Sequence, residues 1–321
     1  MKPLIAITGG TGFLGHHVTK KLLERGFRLR LLVRSKPKID LGNTQSSLAS
    51  LELVYGDLTD SKALDELVVD ADIILNMAGL IKASRREDFD AVNVRGTETL
   101  VRATREGAKQ AKFIFVSSMA AREPSLSAYA ASKAKAEDIV SHHLKDALIV
   151  RPSAIYGPGD KETLFFFKAG QFYFQPVLNT QAARLCLVHV ADVTEAISAS
   201  IEHMTNDKPL FGTYEITDER LDGYSWRELV HEICEATGST ARPFTIPSLL
   251  LKALGRMGSV HAALTGSVQM LSADKVNELL HLDWSSSKQA HLPRNIWRPR
   301  QKLREGFEET ARWYRDQNWL S

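Results

Sequence analysis

The chain has 321 residues, enough to bury a large core and to hold one large domain with a smaller one. Lys and Arg number 41 against 38 Asp and Glu, a net +3, too balanced for nucleic acid to be the main partner. Hydrophobic content of 44% and two cysteines without metal-type spacing exclude a disulfide framework and point to free thiols in a reducing cytoplasm. The N-terminus enters a strand directly, with no signal-peptide pattern. No apolar stretch is long enough to span a bilayer. The nearest, Ile246 to Leu271, carries Lys252, Arg256 and His261, and reads as the helical surface of a small domain rather than a membrane contact.

In chain order, Leu4-Ile5-Ala6-Ile7 is a buried strand. Thr8-Gly9-Gly10-Thr11-Gly12-Phe13-Leu14-Gly15 follows, then a helical pattern through Val18, Leu22 and Leu23. Two glycine spacings overlap: Gly10, Gly12, Gly15 as G-x-G-x-x-G, and Gly9, Gly12, Gly15 as G-x-x-G-x-x-G. A strand, a glycine turn and a helix start let backbone approach a pyrophosphate and offer it free N–H groups. Further strands are expected at Leu29–Val33, Leu51–Tyr55, Ile73–Met77, Phe113–Ser117 and Leu148–Arg151. Helices are expected at His16–Arg25, Ser61–Val69, Asp90–Glu106 and Tyr129–His143, and a polar loop at Lys36–Ser50. This alternation predicts an α/β fold, a doubly wound parallel sheet covered on both faces.

After Tyr156 the rhythm changes. Gly157-Pro158-Gly159-Asp160 is a breaker cluster. The predicted organisation is a dinucleotide-binding domain over 1–160 with a return segment near 186–206. A smaller, discontinuous α/β substrate lobe takes 161–185 and 207–321 and ends in a closing helix near 302–313. The aromatics Phe165 to Phe167 and Phe172 to Phe174 read as packing rather than a substrate wall.

The chemistry concentrates at strand ends. Where many NAD sites carry an acid for the ribose hydroxyls, this chain has Val33-Arg34-Ser35. A guanidinium suits a 2′-phosphate, so the position favours NADP over NAD; a solvated surface arginine is the alternative. Asp57 and Leu58 follow the third strand, and Asp57 could accept from an adenine amino group. Ala78 and Gly79 follow the fourth strand and let the chain pass close to a cofactor. Ser117-Ser118 and Tyr129-Ala130-Ala131-Ser132-Lys133 complete the set. Tyrosine and lysine four apart share a helix face. An ammonium lowers the phenol's pKa, so the tyrosine can exchange a proton with a hydroxyl or carbonyl while hydride moves at a nicotinamide. A serine hydroxyl at the preceding strand end can hold the reacting oxygen.

With these motifs in place, the sequence resembles the extended short-chain dehydrogenase/reductases, the NAD-dependent epimerase/dehydratase family, whose sheet is of the Rossmann type. Asn93-Val94-Arg95-Gly96-Thr97, Arg151 to Gly159 and His189-Val190-Ala191-Asp192-Val193 extend the resemblance, as does the end Trp313 to Leu320. The resemblance implies Tyr129 as catalytic acid/base, Lys133 as ribose ligand and tuner of Tyr129, Ser118 as substrate-oxygen donor, and Asn93 as support of the active-site helix. It places Pro152 and Ser153 beside the nicotinamide amide. Cofactor contacts then comprise Gly9, Thr11, Gly12, Phe13, Leu14, Gly15, Arg34, Asp57, Leu58, Ala78, Gly79, Ser117, Tyr129, Lys133, Pro152 and Ser153, with no metal.

The departures are informative. Met119 and Ala120 stand where dehydratases resemble one another in an Asp-Glu pair, which disfavours dehydration. Leu185 stands where epimerases often carry an arginine, with Arg184 one residue away. The short serine-to-tyrosine loop and Arg34 resemble an atypical branch that includes relatives of a respiratory complex I accessory subunit and NADPH-dependent reductases. The expectation is an NADP-preferring oxidoreductase that interconverts a secondary alcohol and a carbonyl on a small-molecule substrate. The alternatives are a nucleotide-sugar epimerase and a non-catalytic NADPH-binding assembly or sensor protein. By analogy it could form a homodimer.

Overall fold

The computed structural model describes residues 2–36, 50–169, 174–178, 183–206, 208–265 and 271–320. The loop expected at Lys36–Ser50 and the aromatics Phe172 and Tyr173 lie almost wholly outside them. Two compact units are formed. The first comprises Met1–Arg151, Thr194–Tyr214 and Leu292–Trp297; the second comprises Pro152–Val193, Glu215–His291 and Arg298–Ser321.

The first unit is built on a parallel sheet. Its strands are β1 (Leu4–Thr8), β2 (Arg28–Val33), β3 (Leu51–Tyr55), β4 (Ile73–Asn76), β5 (Lys112–Val116) and β6 (Leu148–Pro152). The order is Gly212–Ile216, β6, β5, β4, β1, β2, β3. Every pair among β1 to β6 runs parallel, with Ile7 opposite Leu31 on one side and Leu75 on the other. β1 is buried at every residue, as a central strand covered on both faces requires. The order in which strands are added reverses between β1 and β4, which makes the carboxyl ends of those strands a ligand crevice.

One face of the sheet is covered by the helices Ser61–Val68, Gly96–Gly107 and Ala128–His143. Leu64, Leu67, Leu100, Ala136 and Val140 pack there on Ile74, Phe113 and Ile149. The helix Phe13–Glu24 buries Val18 and Leu22, and its Arg25 end pairs with Glu195 at 2.7 Å. The expected helix Asp90–Glu106 is in fact two pieces, preceded by a further turn. A turn at Arg86–Phe89 leads into a π-helical turn at Asp90–Arg95, and a regular helix follows from Gly96. The regular helix can start against Leu58 only because residue 96 is glycine, since a Cβ there would stand 2.7 Å from Leu58.

The second unit has its own core, in which Tyr156, Phe167, Trp226, Phe307 and Tyr314 are buried together. Phe167 meets Phe307 and Tyr314 edge-on, and Phe166 lies against Trp226, so this part of the aromatic cluster serves packing. Short parallel pairs join Ala154–Tyr156 with Leu187–His189, and Phe174–Leu178 with Arg242–Ile246. The closing helix runs over Leu303–Asp316. His189 is buried, and its Nδ1 accepts from the Ala191 N–H.

Candidate active site

The glycine loop sorts its residues by what a side chain would meet. Gly9 has φ +73°, and a Cβ there would fall 2.5 Å from the Ala78 nitrogen. A Cβ on Gly15 would lie 2.0 Å from the Gly9 carbonyl oxygen. Gly9 therefore makes the turn and Gly15 lets the helix close on it. Gly10 packs inward on Thr19 and Leu31. Gly12 is exposed and open on its outer side. It is the N-cap of Phe13–Glu24 and brings no side-chain acceptor, which leaves the first-turn N–H groups to an outside anion. Thr11 is exposed beside it, and Phe13 and Leu14 are half-buried. A cradle lined by glycines at a helix N-terminus fits the pyrophosphate of a dinucleotide.

The floor of this cradle is a polar chain that sequence reading missed. The Thr8 hydroxyl donates to Asn76 Oδ1 at 2.7 Å and accepts from the Ala78 N–H at 3.3 Å. Both residues are fully buried. They lock the end of β1 to the end of β4 and fix Ala78 under Gly9.

Arg34 is exposed at the end of β2. Asp57 is exposed after β3, and its Oδ1 accepts from the N–H and hydroxyl of Thr59 at 2.8 and 2.6 Å. Those bonds, with a smaller contribution from the Arg34 charge, hold the Asp57 carboxyl below its usual range. Leu58 is buried against Gly96.

The catalytic candidates stand on three elements. Asn93, in the π-helical turn, is buried; its amide accepts from the Leu80 N–H at 2.7 Å and donates to the Leu80 carbonyl and the Ser132 hydroxyl, each at 2.9 Å. Ser132 donates in turn to the Tyr129 carbonyl at 2.7 Å. Asn93 thus reaches the helix Ala128–His143 through Ser132, a residue that sequence reading passed over although it sits directly before Lys133. The helix is capped by Ser127, which accepts from the Ala130 N–H at 2.9 Å. Tyr129 is half-buried, with its ring 6.2 Å from that of Phe89.

Lys133 is buried to 4% exposure, an unusual position for a lysine. Its Nζ donates to the Val116 carbonyl at 2.8 Å and lies 4.3 Å from the centre of the Phe115 ring. Burial pulls its pKa down to about 8, opposed by the Glu137 charge one turn along the helix. Glu137 is itself held by Arg151 in a two-pronged pair. A Cβ on Gly79 would lie 3.2 Å from Asn93 Oδ1 and 3.9 Å from Lys133 Nζ, so Gly79, Asn93 and Lys133 are brought together.

Ser117 and Ser118 follow β5 directly. The Ser117 N–H donates to the Val150 carbonyl at 2.7 Å, while its hydroxyl is buried with no hydrogen-bond partner. Ser118 Oγ accepts from the Ala120 N–H at 3.1 Å and caps a 3-10 turn at Met119–Arg122. Pro152 ends β6 and begins the second unit, and Ser153 after it is buried with its hydroxyl likewise unpartnered.

Comparison with known proteins accords with this layout. Residues 5–216 match the model of the NAD dependent epimerase/dehydratase family. A ceramide reductase of Caulobacter vibrioides is 39% identical over 318 residues, covering 99% of this chain and 96% of that protein. A mitochondrial NADH dehydrogenase [ubiquinone] 1 alpha subcomplex subunit 9 from Dictyostelium discoideum is 26% identical over 240 residues, 74% of this chain and 64% of the other. The crystal structure of gox2253 superposes with a TM-score of 0.75 over the whole of both chains at 23% identity, a likeness of fold. A glycine cradle at the β1–β4 crevice, a buried lysine four residues after a tyrosine and a family match over two thirds of the sequence converge. The chain belongs to the NAD dependent epimerase/dehydratase family, the extended short-chain dehydrogenase/reductases, and is an NAD(P)-dependent oxidoreductase.

Proposed function

We propose that this enzyme uses NADPH to reduce a ketone on a long-chain, amide-bearing lipid of the ceramide class. The observation that carries the reading is the 39% identity to a ceramide reductase over nearly the full length of both proteins. Ceramide bears a secondary alcohol, and the chemistry of a serine, tyrosine and lysine site interconverts such an alcohol with its ketone.

The roles follow from the side chains. Gly9, Gly12 and Gly15 with the first turn of Phe13–Glu24 would hold the pyrophosphate, and Arg34 a 2′-phosphate. Lys133 would bind the nicotinamide ribose. Bound in this cradle, the dinucleotide supplies the hydride. Ser118 already uses a lone pair of Oγ on Ala120, so its O–H proton is available to the substrate carbonyl oxygen. The Tyr129 hydroxyl gives its proton to the same oxygen, and the product is a secondary alcohol. Lys133 stays with Val116 and offers its remaining N–H donors and its charge to the phenolate left behind. Asn93 and Ser132 act as positioning residues by fixing the helix turn that carries Tyr129.

The test is NADPH oxidation by purified protein with the ketone analogue of ceramide in mixed micelles. Turnover should appear with NADPH, and Tyr129→Phe should lower kcat by at least 100-fold with NADPH affinity retained. Isomerisation of a UDP-sugar without added cofactor, and no ketone reduction, would replace this reading with an epimerase.

A further inference from the structure

The helix Ser248–Thr265 in the second unit is apolar on two opposite sides. One side is the inner one. Leu251, Gly255 and Ala262 are buried there, a Cβ on Gly255 would touch Val276 at 2.7 Å, and Ser259 accepts from the Ala273 N–H. The other side is covered by none of the described residues of this unit: Leu249 is 81% exposed, Met257 69% and Val260 60%, with Leu250 and Leu254 beside them. At 100° per residue these five side chains and Ala253 fall on one arc, which exposed His261 shares between Leu250 and Leu254. Lys252 and Arg256, both exposed, line one edge of that arc. The helix carries no aspartate or glutamate. The carboxylates of the neighbouring helix Ala273–Leu280 belong to the element packed on the inner side.

We propose that this face lies on an anionic lipid surface, with the apolar arc entering the acyl boundary and Lys252 and Arg256 at the headgroups. The inference rests on the lipid-substrate reading above, which it deepens by saying where the enzyme meets its substrate. A second copy of the chain fits the face poorly. A two-fold contact sets a patch against itself, and would bring these cations together with no carboxylate on the helix to pair them. A surface of anionic headgroups supplies the missing charge. An 18-residue helix of this kind lies in the interface plane rather than crossing it. Among the described residues no helix is long and apolar enough to span. Of the residues that sequence reading took as a sign against membrane contact, Lys252 and Arg256 sit on the edge of the arc, where they favour it, and His261 lies within it.

The experiment is co-sedimentation of the full chain with vesicles of phosphatidylcholine, alone or mixed with phosphatidylglycerol. In parallel, NADPH-dependent reduction of a short-chain, water-soluble keto-amide reports the site itself. Wild type should partition onto the mixed vesicles. Leu254→Glu combined with Met257→Glu should lower that partition at least tenfold and leave soluble-ketone turnover and melting temperature unchanged. Lys252→Ala and Arg256→Ala should each lower binding to the mixed vesicles about fivefold, roughly 1 kcal/mol per cation, and leave weak binding to the neutral vesicles as it was. Absence of vesicle binding with intact soluble turnover would overturn the docking face and leave the reductase reading standing. Vesicle binding with neither soluble nor embedded ketone reduced would overturn the reductase reading instead. An oligomer that dissociates in the Leu254→Glu, Met257→Glu protein, with no vesicle binding by wild type, would reassign the face to contact between copies.

Discussion

Replacing Lys133 by methionine should abolish turnover and stabilise the protein. A lysine whose pKa falls from 10.5 to about 8 in the fold holds its charge at a cost of about 3 kcal/mol at pH 7. Methionine fills nearly the same volume without that cost. It forfeits the bond to the Val116 carbonyl and the contact with the Phe115 ring, together worth about 2 kcal/mol. The balance is a gain of about 1 kcal/mol, or roughly 2–4 °C in Tm. The sign depends on pH in a defined way. Below about pH 8 the lysine is protonated folded and unfolded, and wild type carries the whole cost. Between about 8 and 10.5 the unfolded chain binds more protons, so wild-type stability rises with pH. Above that window both states are neutral, the cost is gone, no cation faces the Phe115 ring, and only the lost bond to Val116 remains, about 1 kcal/mol. Lys133→Met should therefore melt higher than wild type at pH 7 and lower at pH 11, with a crossing between. Calorimetric melting of the cofactor-free proteins across this range measures it, and ketone reduction should fall at least 100-fold. A variant less stable than wild type by the same amount at both pH values would refute the reasoning, since it would mean that the buried ammonium costs nothing.

Arg34→Asp should weaken NADPH binding 10- to 100-fold, the value of about 1.5–3 kcal/mol for bonds to a charged partner, and leave NADH binding equal or tighter by calorimetry. Gly12 and Gly15 should separate binding from stability. Gly15→Ala drives a Cβ against the Gly9 carbonyl and should lower stability by about 1–3 kcal/mol in a denaturant titration. Gly12 has φ −75° and open space outside, so Gly12→Ala should keep the wild-type Tm while dinucleotide affinity drops at least tenfold. Asn93→Ala removes three hydrogen bonds to Leu80 and Ser132; it should cost about 2–3 kcal/mol and lower kcat more than it changes KM.

The sheet was legible because its strands are the apolar runs. Leu29 to Val33 and Leu51 to Tyr55 are too short for helices and too apolar for loops, and they end within a residue of where they were expected. The glycine loop was legible by its place after β1, though only the structure separates Gly9 from Gly10: spacing does not reveal which residue needs positive φ. Tyr129 and Lys133 could be paired from their separation, but the burial of Lys133 could not be read, because a lysine in a polar helix reads as exposed. The π-helical turn around Asn93 left no trace in periodicity, since one wide turn shifts the pattern by less than a residue. The exposed arc of Ser248–Thr265 was hidden for a related reason. The stretch reads as the helical surface of a small domain, and sequence does not say which of its two apolar sides has a partner.

The adjacent serines after β5 offer a last separation of roles. Ser118 caps a 3-10 turn through the Ala120 N–H, so Ser118→Ala should cost about 1 kcal/mol of stability together with its loss of turnover. Ser117 differs, for its hydroxyl is buried without a partner. A buried hydroxyl left unmatched lowers stability, and its removal with little change in shape relieves that cost. Ser117→Ala should therefore raise the Tm of the cofactor-free protein. If the dinucleotide supplies the missing partner, the same variant should bind NADPH about fivefold more weakly, the equivalent of one bond worth about 1 kcal/mol. A gain in cofactor-free stability paired with a loss in affinity is the signature of a group held ready for a ligand. A Ser117→Ala protein that melts lower than wild type and binds NADPH equally well would make Ser117 a packing residue, and would leave Ser118 as the one serine of the pair with a part in the reaction.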